Sequence, residues 1–233
     1  MLELPNVTLV TLTSTGLYSA LKALLYSARG IKFGRVLFIS HKKPLFMPES
    51  VDFQSTSRIR GLDEYSYRTI FELPKYIDTE FAMLIHADGF IVNPDAWKKE
   101  FLDYDYIGAP FALPKDDFSY RDAFGKIVRV GNGGVSLRSK RLMDLALKLD
   151  LPWESFHGSY NEDGFICCKN RHIYEANGMK FAPIELAKYF SHEKPTPEID
   201  GAKPFAFHKW DGGNRHYPRF NDLPFFSGMG RYQ

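Results

Sequence analysis

The stretch Phe81-Ala82-Met83-Leu84-Ile85-His86-Ala87-Asp88-Gly89-Phe90 joins an unbroken apolar run to an abrupt polar end. Such a run predicts a central strand of a parallel sheet that is covered on both faces. His86 and Asp88 follow the run and, two residues apart, share one side of an extended chain. Open α/β sheets bind ligands at this carboxyl edge. Two interpretations stay open, because an Asp there can hold a hard divalent cation against phosphate oxygens or can cap a polar turn.

The segments before this stretch predict an α/β fold with a mostly parallel central sheet flanked by helices. Residues 7–12 and 36–39 are β-branched and apolar, as strands are, and residues 18–28 carry apolar side chains at helical spacing up to Gly30. A strand–helix–strand order favours parallel pairing with a right-handed crossover.

The remaining elements predict one domain over residues 1–233, with a core of about 5–210. We expect helices at 62–76, 139–149 and 162–176, and a short helix from Asn93. Strand-like pieces lie at 104–108, 128–130, 135–138 and 205–207. Residues 111–126 are expected to form a mobile loop. Pro74 should distort the last turn of the first of these helices. Residues 211–233 form a tail rich in aromatic residues, Gly and Pro.

Composition excludes several classes of protein. A formal charge of +2 on 233 residues gives no case for bulk binding to nucleic acid. The two cysteines are adjacent, at Cys167 and Cys168, which fits a reducing compartment. No signal-peptide pattern and no apolar run near the ~20 residues of a membrane span is visible. We therefore expect a cytoplasmic protein, with peripheral membrane contact through exposed aromatic residues left open.

Two polar turns lie where a sheet of this kind presents ligands. Thr11 to Thr15 end the first predicted strand, and their hydroxyls could contact a base or ribose, although such turns are commonly polar. Gly131-Asn132-Gly133-Gly134 has the glycines that allow close approach of a ligand or of another backbone. The plainer interpretation of this motif is a hairpin turn. It matches neither a Walker loop nor the dinucleotide fingerprint.

An acidic pair and a late histidine complete the candidates. Glu162 and Asp163 begin a predicted helix, where acids favour the helix dipole, but one of them could also act as a general base. His208 follows an apolar strand and could ligate an ion such as Mn²⁺, although a lone His beside aromatic residues is more often structural. A zinc pattern and a Gly-x-Ser-x-Gly elbow are both absent from the sequence.

The order of these motifs resembles that of GT-A glycosyltransferases, whose Asp-x-Asp motif would here read His86-Ala87-Asp88. The Gly-Gly turn followed by a strand and then Glu-Asp is similar to the inverting branch of that superfamily. The sequence is similar, more closely, to a bacterial family of uncharacterised glycosyltransferases. That resemblance covers roughly residues 5–210 and is carried by Asp88-Gly89-Phe90, Asn93-Pro94, Trp97, the segments 104–110 and 131–138, Glu162-Asp163, Phe181-Ala182-Pro183, the segment 190–193 and Phe207-His208.

The resemblance implies a metal-dependent, inverting transfer of a sugar from a nucleotide-diphosphate sugar to a glycan or glycolipid hydroxyl. Asp88 and His208 would hold Mn²⁺ or Mg²⁺, Asp163 would be the base with Glu162 as the alternative, and the loop 111–126 would close over the donor. His86 could bind the metal, contact the ribose or pack. Contacts to the sugar, acceptor and nucleotide are expected from Asn132, Gly133, Gly134, Thr11, Thr13 and Arg58.

Two rival functions stay open on the sequence alone. A nucleotidyltransferase shares the sheet and the metal–phosphate chemistry, but should carry a Gly-rich loop with Lys or Arg after the first strand. Here that turn has only Gly16, and the next base is Lys22. A non-catalytic sugar-binding domain could keep the same fold, and the replacement of the first acid by His86 leaves that possibility open.

Overall fold

A mixed six-stranded sheet forms the centre of the computed structural model, which describes residues 1–209. Its strands run in the order β3-β2-β1-β4-β7-β6. The first four are parallel, whereas β7 is antiparallel to β4 and to β6. Their bounds are β1 Leu2–Leu12, β2 Ile31–Ser40, β3 Asp52–Ser55, β4 Phe81–Ile85, β6 Tyr106–Ile107 and β7 Val135–Ser139.

A second, three-stranded sheet joins distant parts of the chain. It consists of β5 (Gly89–Ile91), β9 (Ala206–His208) and β8 (Ser191–His192), in that order. β5 is antiparallel to β9, and Gly89 lies opposite His208. This pairing brings His208 close to the end of β4.

Helices cover the main sheet. They are α1 Leu17–Ala28, α2 Leu62–Phe71, α3 Lys140–Lys148, α4 Glu162–Gly164, α5 Arg171–Ala176 and α6 Ile184–Phe190, with 3₁₀ turns at Leu73–Tyr76, Pro94–Ala96, Lys99–Asp103 and Pro197–Ile199 and a π-helical segment at Phe165–Lys169. None of the helices within residues 1–209 is both long and apolar enough to cross a membrane.

The predicted α/β fold class with its mostly parallel sheet is confirmed. The strand Phe81–Ile85 has the predicted bounds, and its five residues are all buried, as expected for a strand covered on both faces. The expected single-domain organisation and cytoplasmic location stay predictions. The predicted tail 211–233 lies outside the described residues.

Several local predictions are wrong. The helix expected over 62–76 ends at Phe71, and Pro74 lies in a separate 3₁₀ turn because it lacks an N–H. The helix expected over 162–176 is three helical segments with a π-helical stretch in the middle. Residues 128–130 form no strand, and only Val130 bridges to Pro110. The strands β3, β5 and β8 and the helix α6 were not predicted, because short elements carry too little periodicity.

Aromatic side chains fill the space beside the second sheet. Phe101 is fully buried and makes edge-to-face contacts with Trp97 and Phe190, both at ring-centroid distances of 5.2 Å. Edge-to-face packing places the positive ring edge against a negative ring face. This cluster supports the strands that carry the site.

Substitution of Phe101 tests this packing. We expect Phe101→Ala to lower the free energy of unfolding by about 3–5 kcal/mol, because it leaves a cavity in a buried cluster. Phe46→Ala, at a side chain that is 73% exposed, should change it by less than about 0.5 kcal/mol. Urea denaturation followed by circular dichroism measures both, and equal effects of the two variants would contradict the packing described.

Candidate functional site

A cavity of about 590 Å³ opens at the carboxyl edge of the main sheet. This volume lies within the range of small-molecule sites. Its wall consists of the turn after β1, the approach to α2 and the end of β4, namely residues 11–16, Ser19, 59–62, Tyr65 and 86–88. The carboxyl edge is where the sequence predicts ligand binding.

Two helices begin at this cavity without a side-chain cap. The N-cap residues are Gly16 for α1 and Gly61 for α2, and neither helix has a capping side-chain hydrogen bond. The first backbone N–H groups of a helix have no partner within the helix, and the helix dipole is positive at that end. The N-terminus of α1 therefore favours an anion such as phosphate, whereas Asp63 and Glu64 already place negative charge in the first turn of α2. Arg60 adds a full positive charge to the same wall.

The residues predicted to contact a nucleotide are only partly brought together. Thr11 and Thr13 both line the cavity, but Thr11 is 1% exposed and Thr13 is the more accessible of the two. The Thr13 hydroxyl donates to the carbonyl of Thr15 at 2.6 Å, which shapes the turn. Arg58 is exposed but is not part of the wall, and Arg60, which we did not predict, occupies that position.

His86, Asp88 and His208 form a cluster at the edge of this cavity. One ligand atom of each lies within 4.8 Å of the others. The antiparallel pairing of β5 with β9 produces the cluster, because it places His208 opposite Gly89. Two imidazole nitrogens and a carboxylate oxygen fit Mn²⁺, whereas Mg²⁺ prefers oxygen ligands alone. The residues present thus fit a divalent transition metal.

The His208 ring lies between two acids, with a hydrogen bond to Asp88 and an ion-pair contact to Glu193. Its Nε2 lies 3.1 Å from Asp88 Oδ1, and its Nδ1 lies 3.5 Å from Glu193 Oε1, which is an ion-pair distance rather than a hydrogen bond. Burial lowers the pKa of His208, but Asp88 and Glu193 outweigh burial and raise the pKa to about 9. Burial raises the pKa of Asp88, but His208 outweighs it and lowers the pKa to about 2. Without a metal ion, the two residues form an ion pair.

The surroundings of His86 lower its pKa, whereas those of His208 raise the pKa of that residue. Burial lowers the pKa of His86 to about 4, and the positive charge of His208 acts in the same direction. Its Nε2 lies 2.6 Å from the Tyr65 hydroxyl, and its ring meets that of His208 edge to face at 5.4 Å. A neutral imidazole is the form that binds a metal. The position of His86 in the cluster is therefore compatible with a ligand role, which the sequence left open.

The predicted turn Gly131 to Gly134 packs against the site rather than forming a hairpin. Asn132 has a left-handed φ of 55°, donates a short hydrogen bond to Glu193 and accepts one from the Gly134 N–H at 3.0 Å. A Cβ on Gly134 would lie 2.2 Å from the His208 ring, and one on Gly133 would lie 1.5 Å from the Glu162 carboxylate. The glycines are thus required by neighbouring side chains. Contact of Asn132, Gly133 or Gly134 with a sugar stays a prediction.

A buried ion pair accounts for Glu162. Its Oε1 accepts a hydrogen bond from Arg138 Nη2 at 3.0 Å, and the two side chains are 6% and 1% exposed. The Arg138 side chain also donates to Ser136 Oγ at 3.0 Å. The negative charge of this carboxylate is already neutralised by a buried cation. The geometry therefore favours a structural role for Glu162.

Asp163 lines a second cavity of about 240 Å³. Burial, together with the negative charge of Glu162, raises the pKa of Asp163 to about 7. The Gly164 N–H donates to its Oδ1 at 2.7 Å. The π-helical segment Phe165–Lys169 follows at once, and such segments occur frequently at functional sites. A carboxyl group with a pKa near 7 can accept a proton at neutral pH.

Four residues of the site were missed by sequence reasoning: Tyr65, Arg60, Glu193 and Arg138. Gly16 and Gly61, each directly before a helix, are the sequence signal that could have indicated an uncapped helix and led to Arg60. Glu193 and Arg138 lie in segments that carry the family resemblance, but nothing local indicated their roles in the site, since their partners lie 61 and 24 residues away.

The family of the protein follows from residues 59–208, which match the model described as Protein of unknown function (DUF5672). The chain belongs to this family. The match names no activity, so membership in a bacterial glycosyltransferase family stays a prediction. None of the curated protein sequences matches the chain.

Solved structures resemble the fold. The galactosyltransferase LgtC, solved with donor and acceptor sugar analogues, has 12% identity and a TM-score of 0.51 over 87% of this chain and 86% of LgtC. A weaker likeness is a glycosyltransferase involved in glycosylating the major capsid of PBCV-1, with 13% identity over 89% of this chain and 92% of that one and a TM-score of 0.45. Another is the mannosyltransferase PcManGT from Pyrobaculum calidifontis in complex with GDP-Man and Mn²⁺, with 9% identity over 76% of this chain and 53% of that one and a TM-score of 0.43. The likeness to LgtC shows a GT-A glycosyltransferase fold.

The ion pair of His208 predicts how the stability of the metal-free protein depends on pH. Its pKa of about 9 lies above the ordinary value of 6.5, so its stabilisation is complete below pH 6.5 and disappears as pH rises through 9. We expect the free energy of unfolding to fall between pH 6.5 and 9, by on the order of 3 kcal/mol at most. Urea denaturation in EDTA measures this slope.

Asp88→Asn provides the matched control for this titration. Removal of the carboxylate charge should lower the pKa of His208 and flatten the slope above pH 6.5. A wild-type slope in this variant would contradict the ion pair.

Proposed function

We propose that the protein is a metal-dependent, inverting glycosyltransferase that moves a sugar from a nucleotide-diphosphate sugar to a hydroxyl of a glycan or glycolipid. One observation carries the proposal. The His86–Asp88–His208 cluster lies at the edge of a cavity with two uncapped helix N-termini, and Asp163 lies in a second cavity with a pKa of about 7. The GT-A fold supports the sugar-transfer part of the proposal, because LgtC carries donor and acceptor sugar analogues on that fold.

The larger cavity suits the donor. Its hydroxyl side chains, Thr13 among them, offer hydrogen bonds to a nucleoside, and Arg60 and the N-terminus of α1 offer positive charge to the diphosphate. His86, Asp88 and His208 would hold the cation. When bound, it would neutralise negative charge on the leaving diphosphate as that charge develops.

Asp163 would act as the base. Its carboxylate would accept the proton of the acceptor hydroxyl, while that oxygen bonds to the anomeric carbon and the bond from this carbon to the diphosphate breaks. A single displacement with one base inverts the configuration, as in inverting hydrolases. Its pKa near 7 gives it the proton affinity that a base needs at neutral pH.

The two cavities lie within electrostatic reach of each other. Burial raises the pKa of the Tyr65 hydroxyl, and the charges of Glu162 and Asp163 raise it as well. Tyr65 lines the donor cavity, so the charge of the proposed base is felt by a side chain in the wall of that cavity.

From the sequence, the loop 111–126 is expected over the donor, but its residues line the second cavity, so we propose that it covers the acceptor side. Phe118 and Tyr120 line the second cavity, and Tyr120 stacks on Phe111 at 4.4 Å. Phe111 in turn lies so close to Gly131 that a Cβ there would meet its ring at 2.0 Å. The base of the loop is thus fixed on the glycine turn, and its aromatic residues would exclude water from Asp163.

Donor binding tests the proposal. We expect a panel of nucleotide sugars to yield at least one whose calorimetric affinity requires Mn²⁺, and Asp88→Ala to abolish that dependence because a ligand is lost. Asp103→Ala, at an exposed acid remote in sequence, should bind like wild type. Absence of Mn²⁺-dependent binding across the panel would refute the metal site.

Two arginines of the same segment test the donor cavity. Arg60→Ala should weaken nucleotide-sugar binding by about tenfold, the loss expected for one charged hydrogen bond. Arg58→Ala should bind like wild type, since Arg58 does not line the cavity. Equal losses would instead indicate a general effect of positive charge.

Substitution of Asp163 tests the base. Asp163→Asn should bind the donor almost as wild type does, but lose transfer by about 10²–10⁴-fold, because an amide cannot accept the proton. Single-turnover assays with the donor found above measure this. Full activity of the variant would remove Asp163 from the mechanism.

Glu162→Gln separates the two neighbouring acids. It leaves Arg138 without a buried counter-charge, so we expect a loss of about 3–5 kcal/mol in stability. If Glu162 were the base, transfer would instead be lost at temperatures where the variant is still folded.

A further inference from the structure

The turn Pro44–Met47 carries two large apolar side chains into solvent. Leu45 is 79% exposed and Phe46 is 73% exposed. The Met47 N–H donates to the Pro44 carbonyl at 3.4 Å, so Leu45 and Phe46 are the two central residues of this turn. Gly, Asn and Asp are usual at such positions, and nothing in the described fold requires apolar side chains here.

The turn is anchored rather than loose. Pro44 is buried, Met47 packs against the main hydrophobic core, and Val51 is 3% exposed with its N–H bonded to the Pro48 carbonyl at 3.1 Å. These contacts hold Leu45 and Phe46 outward, where both stay in water unless another surface covers them.

Positive charge accompanies the apolar pair. Lys42 and Lys43 directly precede the turn, and both are exposed. Glu49 is the single acid of the segment 41–51, which leaves a net charge of +1. Arg58, exposed and free of ion pairs with described residues, follows β3 at the same sheet edge. Exposed apolar residues next to cationic ones are the combination that binds an anionic lipid surface.

We propose that Leu45 and Phe46 insert into the interface of an anionic membrane while Lys42 and Lys43 contact its headgroups. Two side chains bury far less than the roughly 1,000 Å² that a specific protein interface needs. A lipid interface accepts a few inserted side chains without that requirement. The segment 41–51 leaves β2 at the carboxyl edge, where the large cavity also opens, so membrane docking would bring a lipid-borne molecule to that edge.

Vesicle sedimentation tests the proposal independently of any transfer activity. The full chain should bind vesicles of phosphatidylcholine with phosphatidylglycerol more tightly than pure phosphatidylcholine, and less tightly in 0.5 M salt. Leu45→Ser with Phe46→Ser should weaken binding about tenfold or more. Lys42→Gln with Lys43→Gln should weaken binding to anionic vesicles by about 5-fold per lysine and leave binding to pure phosphatidylcholine unchanged.

Phe124→Ser is the matched control, since Phe124 is also 79% exposed but lies outside this turn. It should bind vesicles as wild type does. Failure of the full chain to bind vesicles, or an equal loss in Phe124→Ser, would overturn the proposal. So would light scattering that shows a dimer in wild type and a monomer in the Leu45→Ser/Phe46→Ser variant, because a second copy would then be the occupant.

Discussion

The buried ion pair between Arg138 and Glu162 is the constraint on which the site depends. Arg138 is among the largest side chains without exposed surface, and its guanidinium needs a negative partner there. Glu162 supplies that partner and thereby joins β7 to the start of α4. The adjacent Asp163 is fixed in consequence, and the charge of Glu162 helps to raise its pKa. One electrostatic requirement thus positions and tunes the proposed base.

The same pair explains the glycine turn. The Glu162 carboxylate occupies the space where a side chain on Gly133 would lie, and the His208 ring does the same at Gly134. Consecutive glycines therefore let two polar side chains approach the backbone from different elements. The turn is the meeting point of the buried ion pair and the histidine cluster, which links the two halves of the proposed chemistry.

The pKa values of three titratable groups of the site are shifted, and each shift suits a different chemical role. Burial dominates for His86, which stays neutral, and for Asp163, whose pKa rises to about 7. The acids on either side of His208 outweigh burial and raise its pKa to about 9. Because neighbouring groups have different environments, their pKa values differ, and one fold can combine an ion site with a base at neutral pH. The exposed turn at Leu45 and Phe46 is separate from this chemistry and concerns where the protein would act.

The sequence by itself determined the α/β class, the bounds of β4 and the edge of the sheet at which Asp88 lies. These follow from local patterns, because apolar runs and helical spacing are set by residues close in the chain. It also determined that Asp163 begins a helix, though not whether Asp163 or Glu162 was free to react. Short elements such as β5 and β8 were not predicted, because two or three residues carry no measurable period.

The family resemblance paired Asp88 with His208, but only the tertiary structure shows that the two side chains meet and which acid is paired with Arg138. The first contact spans 120 residues and depends on the pairing of β5 with β9, and the second depends on burial. Arg60 rather than Arg58 lines the cavity for the same kind of reason, since the local sequence does not show which of the two arginines the folded chain places at the cavity wall. Proximity between distant residues is a property of the packed chain, and no local pattern encodes it.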